Sequence, residues 1–73
     1  MTPDEELVFN AVYQDRIEFL QANPRSLDDL ESWKDSILKQ EPVTEQHAIS
    51  LRATAQAYED EIKRLKLLQL ISK

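Results

Sequence analysis

His47 is the one imidazole in the chain, and acid–base or metal chemistry there needs a second donor one helical turn away. Those positions hold Val43, Thr44, Ser50 and Leu51, none of them a carboxylate or a second histidine. Carboxylates gather at Asp4-Glu5-Glu6, Asp28-Asp29-Glu31 and Glu59-Asp60-Glu61. The first two groups follow helix-start signals, where the positive end of the helix dipole favours negative charge. In the third, Glu59 and Asp60 stand four residues before Lys63 and Arg64, the spacing of surface ion pairs. No Glu-x-x-His pair supplies a carboxylate-bridged metal site. Ser26, Ser32, Ser36, Ser50 and Ser72 have no neighbouring base to activate them. The residues therefore assign no catalytic, cofactor-binding or metal-ligating position, and the expectation is a protein that is not an enzyme.

Two absences sharpen this. Without cysteine there are no disulfides, thiolate ligands or sulfur nucleophiles, which favours a reducing, cytoplasmic setting. Without glycine there is no phosphate-cradling loop and no glycine helix cap, so the turns must rely on proline. The start Met1–Glu6 is acidic where a signal peptide is basic, and no apolar run approaches the roughly 18 residues of a membrane span.

The elements that carry these residues are helices. Thr2-Pro3-Asp4-Glu5 is a capping box with proline at the first helical position. A first helix over about 3–22 follows, its apolar arc formed by Val8, Phe9, Val12, Tyr13, Ile17, Phe19 and Leu20. That arc is half the helix, wide enough for two neighbours. Asn23-Pro24 ends it, because the residue before proline is driven out of the helical region. Ser26 caps a second helix over about 27–40 with Leu27, Leu30, Trp33, Ile37 and Leu38 on one face, and Glu41-Pro42 stops it. Thr44 caps a third helix over about 45–71, with Val43 placed to staple onto Ala48. No strand or repeat is visible, and 73 residues make one helical domain, residues 1–73.

Along the third helix Ala48, Leu51, Ala55, Tyr58, Ile62 and Leu65 recur at steps of three and four, the seam of a helix that packs in coiled-coil fashion. Beyond it Leu67, Leu68, Leu70 and Ile71 point to several sides. The all-α fold is then a small bundle or a helical hairpin with a long C-terminal helix. In the bundle, the second helix returns along the third only to about Tyr58, and residues from Ile62 onward overhang. In the hairpin, the first two helices form one broken antiparallel arm in which Phe9, Tyr13 and Ile17 meet Ile62 and Leu65. The core in either case centres on Leu30, Trp33, Ile37, Leu51, Ala55 and Tyr58. A protein interface is expected at Ile62, Leu65, Leu67, Leu68, Leu70 and Ile71, serving self-association as a homodimer or a larger protein partner.

Charge bears on the partner. Residues 1–46 hold eleven acids against four bases, and residues 47–73 three acids against five. An acidic front half disfavours nucleic acid, although Arg52, Lys63 and Lys66 share one side of the third helix and leave a nucleic-acid-associated regulator as the alternative. A membrane-surface helix is disfavoured because the tail's apolar residues are not confined to one side. The expected role is that of an adaptor, assembly factor or inhibitor acting through protein–protein contact.

Overall fold

Three side-chain caps set where the helices begin in the computed structural model, which describes residues 2–71. Helix α1 spans Pro3–Ala22, α2 Leu27–Lys39 and α3 Glu45–Ile71. At α1 the Thr2 hydroxyl accepts the Glu5 N–H at 3.3 Å while the Glu5 carboxylate accepts the Thr2 N–H at 3.2 Å. Ser26 accepts the Asp29 N–H at 3.2 Å to start α2. Thr44 accepts the His47 N–H at 3.1 Å to start α3, and His47 Nδ1 accepts the Val43 N–H at 3.1 Å. The lone histidine thus does the work that a glutamate does in a capping box. At the other end of α1, the Phe19 carbonyl accepts both the backbone and the side-chain N–H of Asn23, at 2.9 and 3.0 Å. No described residue has a positive φ, so helix termination falls to Pro24 and Pro42. Helix α2 stops one residue short of expectation, with Gln40 already extended.

The order is up, down, up. Tyr13 of α1 donates its hydroxyl proton to Asp60 of α3, and Glu5, two turns earlier, lies in the field of Arg52, so α1 and α3 are parallel. Helix α2 is antiparallel: Glu31 pairs with Lys66 at 3.7 Å, and the Trp33 ring meets Tyr58 edge-on, 6.0 Å between centroids. This excludes the hairpin and establishes the bundle.

Helix α3 is the element both others share. Helices α1 and α2 each pack against it and not along one another. One side of α3 presents Ile49, Ala53 and Ala57, four apart and continuous with Asp60; these are buried, and the small alanines let α1 come close. The other side presents Ala55, Tyr58 and Ile62 to α2. Near the α1–α2 turn, Leu20 and Leu30, 2% and 1% exposed, close the core over Tyr58 and Ile62. Leu27, Trp33, Ile37 and Leu65 pack on this cluster half-buried. The molecule measures 43 × 24 × 19 Å, its long axis set by α3.

Register departs from expectation in one respect. Helix α2 reaches Lys66 and not only Tyr58, because the segment that follows it, extended at Gln40, runs beside the start of α3. Gln40 and Pro42 line an apolar recess with Ala48, Leu51 and Arg52, and an extended residue advances about 3.3 Å against 1.5 Å in a helix. Val43 is 85% exposed, so the expected staple onto Ala48 is absent. Leu38, expected on the inner face of α2, is exposed as well.

Candidate interaction surface

The groups that invite a chemical reading are occupied by structure. His47 caps α3, as its two hydrogen bonds show. No cluster of histidine and carboxylate side chains suited to a metal ion occurs among the described residues. Ser72 lies outside them.

The acid-rich turn of α3 is divided between two tasks. Glu59 pairs with Lys63 at 3.5 Å as its spacing predicts. Asp60 does not pair with Arg64. Its carboxylate accepts from Tyr13 and, at 2.9 Å, from the Gln56 amide, tying α1 to α3. Arg64 turns instead to Glu61, whose side chain is nearly buried, and its Nε lies 3.1 Å from both carboxylate oxygens. Three shifts record these contacts. Hydrogen bonding to Asp60, burial and the nearby negative charge raise the Tyr13 phenol above its ordinary value. The hydrogen bonds that Arg64 donates to the Glu61 carboxylate outweigh desolvation and raise Arg64. The Thr2 backbone N–H and hydroxyl lower Glu5.

The bases that hinted at a nucleic-acid face are partly neutralised: Lys63 faces Glu59 and Lys66 faces Glu31. Arg52 makes no ion pair among the described residues.

What the structure leaves open is apolar. At the C-terminal end of α3, Leu67, Leu68, Leu70 and Ile71 are 59%, 46%, 69% and 79% exposed. Of the six positions expected to form an interface, Ile62 is instead a core residue, 6% exposed, and Leu65 is partly covered. Both are claimed by the extra reach of α2. The parallel register places Phe19 at the same end of the bundle, exposed at its rim with the Arg16 guanidinium 5.3 Å over its ring. The Arg16 Nε is shielded from solvent and meets no acceptor among the described residues. Sequence reasoning places Phe19 inside; its position at the edge of the α1 arc is the one signal that it need not be, since α1 has a single neighbour and not two. Leu7, Leu38 and Val43 are exposed toward the opposite end.

Among the described residues no helix is long and apolar enough to cross a membrane. Comparison with known protein families, characterised proteins and solved structures yields no match to this chain.

Proposed function

We propose that the protein is a non-enzymatic, cytoplasmic helical interaction module that binds protein, a second copy or a larger partner, through the C-terminal end of α3, in the manner of an adaptor, assembly factor or inhibitor. One observation carries this: the C-terminal end of α3 holds four large aliphatic side chains, Leu67, Leu68, Leu70 and Ile71, that stay between 46% and 79% exposed. Isolated exposed leucines are ordinary, but four within five residues at one end of a 43 Å body make a patch. The four expose the equivalent of about two and a half whole side chains, worth roughly 4 to 7 kcal/mol if buried. Association costs on the order of 4 to 15 kcal/mol, so the end serves as an anchor within a larger contact.

The test is a Leu70→Glu, Ile71→Glu variant, chosen because these two positions are the most exposed of the four. The variant should keep its helical signal and melting temperature while losing self-association in light scattering or capture of a protein partner in a tagged pull-down. A variant that assembles and captures as the parent does removes the end of α3 from the mechanism.

A further inference from the structure

Every seventh residue on the outer side of α3 is charged: Glu45, Arg52, Glu59 and Lys66. Seven residues are close to two helical turns, so the four stand in line, and their signs alternate. A stripe that reads negative, positive, negative, positive becomes its own complement when reversed. From this we infer that α3 pairs antiparallel with α3 of a second copy along the stripe, about a two-fold axis between Ala55 and Gln56. That axis sets Arg52 against Glu59 of the other copy, and Glu45 against its Lys66, each contact occurring twice. A parallel pair would set each charge against its like. The inference rests on the reading of the protein as one that binds protein, and it names the partner and the geometry.

Three further observations favour this occupant. Glu45, Arg52 and Lys66 are exposed and Glu59 half-exposed, and α1 and α2 do not close over them. They leave an open trough with Ala55 and Gln56 in its floor, Phe9 on one wall and Leu38 on the other. The ion pairs that Glu59 and Lys66 already make, with Lys63 and Glu31, are 3.5 and 3.7 Å long between largely exposed side chains, and such pairs are weakly held and readily shared. The exposed apolar residues also divide between the two ends of α3, Leu38 and Val43 near its start and Leu67 to Ile71 at its finish. Antiparallel pairing over the roughly 30 Å from Glu45 to Lys66 brings one set against the other at both ends of the contact. Charge fixes the direction, and the apolar ends supply the attraction.

A charge exchange tests this in the full chain, read by light scattering on a sizing column at micromolar concentration with circular dichroism as a check on folding. The parent should be a dimer. Arg52→Glu and Glu59→Arg should each raise the dimer dissociation constant by at least about tenfold, and the double variant should restore it. Glu45→Lys with Lys66→Glu gives an independent exchange with the same pattern. A monomeric parent overturns the inference, as does a dimer that either single reversal leaves intact or that neither double exchange rescues. A dimer indifferent to the stripe but lost in the Leu70→Glu, Ile71→Glu variant, or a monomer that captures another protein through that end, overturns the antiparallel pairing alone and leaves the broader function standing.

Discussion

Tyr13→Phe removes one oxygen and with it the polar tie between α1 and α3. In the parent the phenol donates to Asp60, whose other oxygen accepts from Gln56, so the substitution leaves the carboxylate with one partner instead of two. A hydrogen bond to a charged group is worth about 1.5 to 3 kcal/mol, and partial exposure of both side chains brings the loss down to roughly 1 kcal/mol. Against the 3 to 5 kcal/mol that a core of this size supplies, that is roughly a quarter of the total. In urea it should move the midpoint down by about 1 M, and in a thermal scan by about 4 to 8 °C. The pH dependence makes the assignment specific. The folded phenol is held above the unfolded value of about 10, so its neutral form is the one that stabilises the fold. Its contribution is complete below pH 10 and is lost as pH rises through the folded value. The gap between parent and Tyr13→Phe should therefore be constant from neutrality to about pH 9 and narrow above about pH 10, while Tyr58, present in both, cancels. Urea titrations at a series of pH values read this directly. A gap that is absent at neutral pH, or that persists unchanged at high pH, would refute the tie and with it the parallel packing of α1 on α3.

Trp33→Ala strips the ring that meets Tyr58 edge-on and carries the Arg25 guanidinium 5.3 Å above it, and should cost about 3 kcal/mol, seen as a melting temperature near or below ambient by circular dichroism. Ala57→Leu places a branched side chain where α3 has no exposed surface against α1, and overpacking should destabilise by about 1 to 3 kcal/mol in the same assay even though leucine is an excellent helix former. Thr44→Ala frees the His47 N–H at the start of α3 and should lose about 1 kcal/mol, with hydrogen exchange accelerating first in that turn.

The three helices and their ends were legible because their determinants are local. Thr2, Ser26 and Thr44 each satisfy a backbone N–H within three residues, and Pro24 and Pro42 constrain the residue before them whatever the rest of the chain does. The apolar end of α3 was legible for the same reason: four large aliphatic residues spread around a helix cannot all face one neighbour. Tertiary structure alone decided how the helices met. Whether Asp60 takes Arg64 or Tyr13 depends on where α1 lies, and that rests on alanines such as Ala53 and Ala57, whose importance is the room they leave and not the area they bury. Bundle or hairpin turned on parallel against antiparallel packing of α1, two arrangements that satisfy the same periodicity. The reach of α2 to Lys66, which drew Ile62 into the core and left Leu67 to Ile71 largely outside, came from the path of the connecting segment beside the start of α3. Helical periodicity fixes which face of a helix is apolar, but the level at which that face meets a neighbour is set by the conformation of the connecting segment, and the two prolines stop the helices without specifying that path.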